Sequence, residues 1–387
     1  MTIQFSRRIE LVKPSATLAI TDKAKKMKQQ GLDVVSFGAG EPDFDTPAFI
    51  KEAAIAALQK GMTKYSPSSG IAELKKEIIA KFDRDNGLKY TADQIIVSNG
   101  AKHSLFNAFQ VLLNEGDEVI IPSPFWLSYP EMVRLSGGQP VFLETKESNR
   151  FKASAKDIES KITPRTKILV LNSPSNPTGV IYDKNELEEI ARIAVKHQIF
   201  VISDEIYEKL IYDGKKHVSI ASFNSEIKDL TLTVNGMSKA YSMTGWRLGY
   251  LAGPKEVVER MDNLQSHATS NPSTFSQYGA VQALISGEAE VSKMCKVFEK
   301  RRNLMSDLIN KIPKLSFVFP DGAFYFFINI TKTGMTSGQF AEKLLEKNLV
   351  AVVPGDVFGS DQHIRLSFAT SEENITKGIS RIAEFLK

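Results

Sequence analysis

Short apolar segments alternate with amphipathic helical segments along most of the chain, and this order limits the possible folds more than any other feature. The apolar segments are partly β-branched and bounded by loop-forming residues, so they are predicted to be buried strands. Helical periodicity lies between them, as in residues 185–197. This order is typical of an α/β protein with a mainly parallel sheet covered on both faces. The predicted strands are residues 94–97, 117–121, 167–171, 199–203, 230–234 and 248–252.

The pattern changes from about residue 285, where a long charged helix is followed by strands and helices mixed in α+β fashion. We therefore predict an N-terminal segment of residues 1–46 that joins a small domain, a large domain of residues 47–284, and the small domain itself, residues 285–387. Further elements are predicted in the small domain, namely strands at residues 316–319, 324–328, 350–353 and 364–368 and a helix at residues 337–347.

The composition argues against several classes of protein. The 387 residues carry a formal net charge of +4, with both signs interleaved, so no basic block predicts nucleic-acid binding. No apolar run approaches the roughly 20 residues of a membrane helix, and the amino end lacks the apolar core of a signal peptide. The single cysteine, Cys295, excludes an internal disulfide framework and fits a reducing cytoplasm. No cysteine and histidine cluster has metal-ligand spacing, so we expect a cytoplasmic protein with no membrane, nucleic-acid or metal partner.

The loop within residues 235–250 places a lysine and an arginine between two predicted strands. Desolvation of Lys239 between buried strands favours the neutral amine that a Schiff base with an aldehyde requires. The fixed charge of Arg247 suits a phosphate. Taken alone, both residues are more often solvated loop cations, so their meaning depends on the rest of the chain.

Other candidate residues follow predicted strands. A turn at Gly100 and Ala101 leads into a helix whose first amides can bind an anion. Trp126 lies just past a strand end, where open α/β sheets bind ligands, although tryptophan more often packs in a core. Asp204, at the carboxyl end of its strand, needs a partner such as a protonated ring nitrogen unless it caps the next helix. Gly40 either lets a ligand approach the backbone or serves a turn.

Arg365 lies in an alternating run that sets it on the face opposite Ile364, Leu366 and Phe368. An arginine that projects from a strand into a cleft is suited to bind a carboxylate. Exposure of the same side chain to solvent is the alternative.

Together these residues meet the requirements of one cofactor, a phosphorylated pyridine aldehyde. Lys239 carries the aldehyde, and Asp204 keeps the ring nitrogen protonated so that the ring can accept electrons. Gly100, Ala101 and Arg247 hold the phosphate. Each signal alone is weak, but their joint appearance in this order predicts a pyridoxal 5'-phosphate enzyme.

Five segments resemble the class I and II aminotransferases, and the likeness runs nearly end to end. Within that family, the chain most resembles the bacterial aspartate aminotransferases of the Iβ subgroup. The motifs are highly specific for cofactor and fold and less specific for substrate. The segments are AGEPDFDTP at residues 39–47, NSPSNPTG at 172–179, SDEIY at 203–207, SK at 238–239 with MTGWRLG at 243–249, and IRLSF at 364–368.

The resemblance implies a fold-type I pyridoxal phosphate-dependent transferase. Its large domain is expected to hold a mainly parallel seven-stranded sheet, and two identical subunits are expected to share their active sites. Lys239 is implied to be the Schiff-base lysine and proton shuttle, Asp204 the partner of the pyridinium, and Tyr207 the donor to the ring hydroxyl. Asn176 also approaches that hydroxyl and Trp126 stacks on the ring, so both are implied to border the substrate as well.

The resemblance also assigns Arg365 to the substrate α-carboxylate, beside Gly40. Tyr65 is implied to reach the phosphate of the neighbouring subunit. One departure from the family pattern concerns Gly236, which stands where many relatives place a phosphate-binding serine. That hydrogen bond is left to Ser238 or to backbone amides.

The substrate side chain is implied to face Lys102, with Ser15 and Thr17 in the N-terminal segment that closes over it. Lys102 resembles the lysine that in this subgroup faces the side-chain carboxylate of aspartate or glutamate, unless it only screens the cofactor phosphate. We therefore expect transamination of L-aspartate with 2-oxoglutarate to oxaloacetate and L-glutamate. The expected kinetics are ping-pong, through a Schiff base on Lys239.

Three alternatives remain. Some members of this subgroup also accept prephenate, which has two carboxylates, so a dual aspartate/prephenate or an aromatic amino acid aminotransferase is possible. A carbon–sulfur lyase of the same fold keeps Lys239 and Asp204. The ligand-sensing domain of a transcription regulator is disfavoured, because only about 30 residues precede the first predicted strand, too few for a DNA-binding module.

Overall fold

The computed structural model describes residues 4–12 and 16–387, apart from the side chains of residues 16–19 and 21. The strands are β1 (Val35–Ser36), β2 (Ile95–Ser98), β3 (Glu118–Ser123), β4 (Gln139–Glu144), β5 (Thr166–Asn172), β6 (Phe200–Asp204), β7 (Thr231–Gly236), β8 (Gly249–Ala252), β9 (Ser316–Phe317), β10 (Tyr325–Asn329), β11 (Val350–Ala351), β12 (Val353–Pro354) and β13 (His363–Ser367). The helices are α1 (Arg7–Glu10), α2 (Ala16–Gln29), α3 (Ala48–Gln59), α4 (Ala72–Asn86), α5 (Ala101–Leu112), α6 (Ser128–Leu135), α7 (Ala155–Glu159), α8 (Lys184–His197), α9 (Ser225–Lys228), α10 (Lys255–Ala268), α11 (Thr274–Ser286), α12 (Glu288–Ile309), α13 (Ser337–Asn348) and α14 (Glu372–Phe385).

The largest sheet has seven strands in the order β2-β8-β7-β6-β5-β3-β4. Strand β8 runs antiparallel to both of its neighbours, β2 and β7. The other neighbouring strands are parallel to each other. This arrangement confirms the predicted α/β fold with a mainly parallel seven-stranded sheet.

Both faces of this sheet are covered, which explains why its strands are continuous apolar runs. In β5, Ile168 and Val170 pack into a core formed with residues of α5, α6 and α10. Leu169 and Leu171, which point to the other face, pack into a second core with residues of α8. All four side chains are buried. Alternate side chains of one strand therefore pack into two separate cores on opposite faces of the sheet.

The remaining strands form smaller sheets. Strands β12, β13, β10 and β9 make an antiparallel sheet in that order. Strand β1 pairs in parallel with β11, with Val35 opposite Val350. The N-terminal segment is thus joined to the C-terminal part of the chain. The boundaries at residues 46/47 and 284/285 stay a prediction.

Two predicted strands of the C-terminal part are wrong in extent. The segment 350–353 forms two strands, because Val350 pairs with β1 whereas Val353 pairs with β13. The strand predicted at 316–319 ends at Phe317, where its pairing with β10 stops.

The parallel strands bring several polar residues to one edge of the large sheet. Asn172 at the end of β5 is in register with Asp204 at the end of β6. Gly236 ends the next strand, β7. Ligands of open α/β sheets bind beyond the carboxyl ends of the strands, so this edge is the candidate site. Among the described helices, none is both long enough and apolar enough to span a membrane.

Candidate active site

Lys239 lies in the connection between β7 and β8, as the sequence predicted. Its Nζ donates a hydrogen bond to the carbonyl oxygen of Gly40, 2.5 Å away. The ring centroids of Tyr207 and Phe324 lie 5.9 and 5.8 Å from the same nitrogen. Burial lowers the pKa of Lys239 to about 8, with nearby Arg365 acting in the same direction. The neutral amine that a nucleophile requires is therefore much more populated near neutral pH than in an ordinary lysine.

Asp204 is buried at the end of β6. Its Oδ2 accepts a hydrogen bond of 2.6 Å from the hydroxyl of Tyr129, and its Oδ1 accepts one of 3.3 Å from the amide of Ile206. Burial raises the pKa of Asp204 to about 6, although both hydrogen bonds act in the opposite direction. Within the described residues this carboxylate forms no ion pair. It is therefore suited to a cationic partner such as a protonated ring nitrogen.

The turn between β2 and α5 is built around close backbone approaches. Gly100 has a φ of 90°, and a Cβ at this position would lie 2.3 Å from Nη2 of Arg247. A Cβ at Gly249 would lie 2.1 Å from the amide nitrogen of Ala101. Arg247 is held by a hydrogen bond of 2.9 Å from Nη1 to the carbonyl oxygen of Thr244. Gly100 thus allows a guanidinium to reach the start of a 12-residue helix, and Gly249 allows its strand to lie against the backbone of that turn.

This turn fits a phosphate group. The first amides of α5, including those of Ala101 and Lys102, have no intrahelical acceptor and carry the positive end of the helix dipole. Arg247 adds a full charge beside them, and Ser238 lies one residue before Lys239. These donors match the phosphate of pyridoxal 5'-phosphate, and the Asp204 carboxylate matches its protonated ring nitrogen.

Arg365 lies in β13 and is buried, with an exposed fraction of 2%. Its Nη1 donates to Oδ1 of Asn176 and its Nη2 donates to the carbonyl oxygen of Gly38, each at 3.0 Å. The guanidinium carbon lies 4.4 Å from the ring centroid of Tyr325. Its Nε is buried without an acceptor, and no carboxylate of the described chain forms an ion pair with it. Burial lowers the pKa of Arg365, which agrees with an environment that lacks a counter-charge.

Several other predicted residues lie around the same edge of the sheet. Tyr207 and Tyr325 share a hydrogen bond of 2.9 Å between their hydroxyls. Trp126 packs edge-on against Tyr129, with 5.2 Å between ring centroids. The Nζ of Lys102 lies 4.9 Å from the ring centroid of Trp126. Burial, with a smaller contribution from Arg247, lowers the pKa of Lys102.

One predicted residue is exposed, and the side chains of two others lie outside the described residues. Tyr65 is 89% exposed. Ser15 lies outside the described residues. Thr17 belongs to α2, and its side chain lies outside them as well. The roles expected of these three residues stay predictions, as do the individual roles assigned to the other site residues.

Sequence reasoning missed residues that contact the predicted ones. Tyr129, in α6, bonds to Asp204, and its place three residues after Trp126 was an available signal. Asn172 donates to the carbonyl oxygen of Asp204 at 2.9 Å, and it belongs to a motif that the sequence already displayed. Tyr325 comes from a distant strand, so no local pattern could place it.

The family described as aminotransferase class I and II matches residues 32–382. An aspartate aminotransferase of Geobacillus stearothermophilus is 49% identical over 390 residues, covering 100% of this chain and 99% of that protein. An aspartate/prephenate aminotransferase of Thermus thermophilus is 47% identical and covers 98% of both chains. A solved structure of aspartate aminotransferase from Thermus thermophilus with maleate has a TM-score of 0.96 and 46% identity, covering 99% of this chain and 100% of that one.

The fold and the site together define a fold-type I transferase. The chain belongs to the class I and II aminotransferases, as the sequence motifs predicted, and it is an aminotransferase.

Proposed function

We propose that this enzyme transfers the amino group of L-aspartate to 2-oxoglutarate, with pyridoxal 5'-phosphate as cofactor, and forms oxaloacetate and L-glutamate. The observation that carries the proposal is the buried guanidinium of Arg365 beside the Lys239 site, with an unused Nε and no carboxylate partner in the described chain. Burial of such a charge costs free energy unless a ligand supplies the opposite charge. A substrate α-carboxylate supplies that partner through paired, charge-assisted hydrogen bonds.

Gly40 connects this carboxylate site to the lysine. Its carbonyl oxygen accepts the hydrogen bond from Lys239, while a Cβ on it would lie 4.0 Å from Nη2 of Arg365. A substrate held by Arg365 therefore has its α-carbon on the side of Lys239. When bound, pyridoxal phosphate supplies an aldehyde that exchanges with the substrate amine and a ring that accepts electrons. Lys239, with its pKa lowered to about 8 chiefly by burial, takes the proton from the substrate α-carbon.

The proposed cofactor is held at three places by this chain. Asp204 pairs with the ring nitrogen, and the buried hydrogen bond from Tyr129 orients its carboxylate. Tyr207 and Asn176 border the ring hydroxyl. The first amides of α5 and Arg247 would hold the phosphate, because they supply positive charge at one place.

Lys102 supports a dicarboxylic substrate. Its partly desolvated ammonium lies over Trp126 and follows the phosphate turn directly. A second substrate carboxylate would gain a cationic partner there, whereas an alkyl side chain would leave the ammonium without one. The maleate of the Thermus thermophilus structure is a four-carbon dicarboxylate. Prephenate also carries two carboxylates, and several similar proteins are aspartate/prephenate aminotransferases, so a dual activity is the second candidate.

We also propose a homodimer in which Tyr65 of one subunit reaches the phosphate of the other. The support is the exposure of this tyrosine together with three apolar side chains near it in the sequence. Those side chains are Ile55, Leu58 and Met62, which are 51%, 43% and 39% exposed. Several exposed apolar side chains within one short segment favour a subunit interface there.

The experiment is an absorption titration of the protein loaded with pyridoxal phosphate, with L-aspartate, L-phenylalanine and L-alanine added separately. The proposal is supported if aspartate at low concentration converts the aldehyde form to the amine form and the other two amino acids do not. Conversion by phenylalanine alone excludes an acidic substrate but still identifies the protein as a transaminase. Regain of the aldehyde form on adding prephenate supports the dual activity. Release of homocysteine, pyruvate and ammonia from added L-cystathionine, with water and without an oxo acid acceptor, indicates a carbon–sulfur lyase instead.

A further inference from the structure

Two buried ion pairs hold the segment that carries Asp204 and Tyr207. The cofactor-site contacts of this segment come from Asp204 and Tyr207, which bond to Tyr129 and Tyr325. The neighbouring residue Glu205 follows β6 directly, and its side chain contacts Ser203, His217 and Ser219. Its contacts, and those of Glu208, are with residues that the proposed chemistry does not use.

The Glu205 carboxylate is 1% exposed and fully engaged. Its Oε2 lies 2.8 Å from Nε2 of His217. Its Oε1 accepts hydrogen bonds from the hydroxyls of Ser203 at 2.8 Å and Ser219 at 2.7 Å. These partners tie the end of β6 to the loop of residues 213–219. A buried carboxylate satisfied by three donors is rigid as well as charged.

Glu208 is anchored in a similar way by α4. It forms an ion pair with Lys81, whose side chain is 2% exposed, and it accepts a hydrogen bond of 2.9 Å from Nδ2 of Asn86. The Nζ of Lys81 also donates to Oδ1 of Asn86 at 2.8 Å. Burial acts to raise the pKa of Glu208, but Lys81 and His217 outweigh it and bring the pKa to about 2. Glu208 is therefore ionised.

The cluster is electrically balanced by protein groups alone. Burial acts to lower the pKa of His217, but Glu205 and Glu208 outweigh it, so its pKa is raised. With His217 protonated, two carboxylates face two cations, His217 and Lys81. The ligand atoms of Glu205, Glu208 and His217 lie within 4.8 Å of one another, a spacing that a metal ion could use. The ammonium of Lys81 already supplies the cationic charge at Glu208, so the balance needs no metal.

We propose that Glu205 and His217 are positioning residues of the aminotransferase reaction, which fix the Asp204 carboxylate and set the electrostatic field around it. This inference rests on the proposed role of Asp204 as partner of the cofactor ring. Glu205 and Lys239 act on the Asp204 carboxylate through their charges, and Tyr129 donates a hydrogen bond to it. Loss of His217 leaves the Glu205 charge without its partner one residue from Asp204, and loss of Glu205 leaves the His217 charge without its partner.

The test compares Glu205→Gln and His217→Gln with the wild type, each loaded with pyridoxal phosphate. The readouts are kcat and KM for aspartate, cofactor affinity, Tm, and the pH midpoint of the absorption change of the bound cofactor. We expect kcat to fall by about 10- to 100-fold with a smaller change in KM, because misplacement of a catalytic group by about 1 Å costs on this order. The midpoint should fall in Glu205→Gln, which removes a negative charge, and rise in His217→Gln, which removes a positive one.

Arg302→Met is the matched control. Arg302 is 1% exposed and forms an ion pair at 2.8 Å with Asp213, whose side chain is 45% exposed, so its loss should lower Tm without moving the midpoint or kcat. Ser219→Ala removes one hydrogen bond to Glu205 and leaves both charges, which covers the case in which the Gln variants do not fold. A reduced kcat in Ser219→Ala supports the proposal.

Other outcomes overturn it. If Glu205→Gln and His217→Gln lose Tm but keep the wild-type midpoint and kcat, the pair is only structural. If neither Gln variant folds and Ser219→Ala keeps the wild-type kcat, the proposal fails as well. A rise in the Tm of wild type, but not of His217→Gln, on addition of Zn²⁺ would identify a metal site instead. Failure of the wild type to bind pyridoxal phosphate and convert aspartate refutes the proposed function separately.

Discussion

The Nζ of Lys239 lies 2.5 Å from the carbonyl oxygen of Gly40, and the same glycine borders the guanidinium of Arg365. A Cβ at this position would lie 3.3 Å from the hydroxyl of Tyr325 and 4.0 Å from Nη2 of Arg365. The absence of a side chain at Gly40 therefore leaves room between the amine and the cation. This relationship links proton transfer and carboxylate binding in one small volume.

Lys239→Ala should abolish turnover of aspartate while the fold persists. The variant loses the base that takes the α-proton, and general base catalysis is worth about 10²- to 10⁴-fold. The measurement is the single-turnover rate of the aspartate half-reaction, followed by absorption. Lys311→Ala, at an exposed lysine, is the control and should keep the wild-type rate. A Lys239→Ala protein with a wild-type rate would refute the assignment.

Lys239→Met should stabilise the cofactor-free protein at neutral pH. Burial lowers the pKa of Lys239 from 10.5 to about 8, so the unfolded chain binds this proton more tightly than the folded one. The buried lysine therefore destabilises the fold by its full amount below pH 8, and this destabilisation disappears as the pH rises from 8 toward 10.5. Thermal unfolding at pH 6 and pH 10 should thus show a gain in Tm at pH 6 that shrinks at pH 10. An equal gain at both pH values contradicts the argument.

The sequence was sufficient where function depends on local order. The positions of Lys239 between β7 and β8, and of Asp204 at the end of β6, follow from short apolar runs and their flanking residues. The position of Gly100 before α5 also follows from the local sequence. The positions of these residues could be predicted because each lies at the end of a predicted strand or in a short connection, whereas their chemical roles stay predictions.

The sequence was not sufficient where contacts join distant segments. Tyr325 meets Tyr207 across 118 residues, and Arg365 meets Asn176 across 189. Such pairs are fixed by the order and register of strands, which apolar periodicity does not specify. The placement of β8 between β2 and β7, antiparallel to both, is an example.

Arg365→Leu should weaken binding of every amino acid substrate, whatever its side chain. Loss of a charge-assisted hydrogen-bond pair costs about 1.5–3 kcal/mol, or roughly 10- to 150-fold in affinity. The measurement is the apparent Kd for aspartate, alanine and phenylalanine from absorption titrations. Arg365→Lys should recover part of the loss, because it keeps the charge and gives up the planar fork. Unchanged Kd values in Arg365→Leu would exclude the α-carboxylate site.

Lys102→Met should change selectivity rather than general activity. Removing the ammonium deprives the side-chain carboxylate of its partner, at a cost of about 1.5–3 kcal/mol, but alanine has no such carboxylate. We expect kcat/KM for aspartate to fall by at least about tenfold and that for alanine to stay close to wild type. Equal losses for both amino acids would indicate that Lys102 acts on the cofactor phosphate.

Tyr65 provides a test of the shared active site. In the proposed dimer, a heterodimer of Tyr65→Ala and Lys239→Ala subunits has one site with both residues intact and one site with neither. Each homodimer has Lys239 or Tyr65 missing from both sites. Purified heterodimers, isolated by two different affinity tags, should therefore regain about half of the wild-type activity per dimer, because the two sites of a symmetric dimer are equivalent. If Tyr65 acted within its own subunit, no site of the heterodimer would be intact, and the mixture would stay as inactive as its parents.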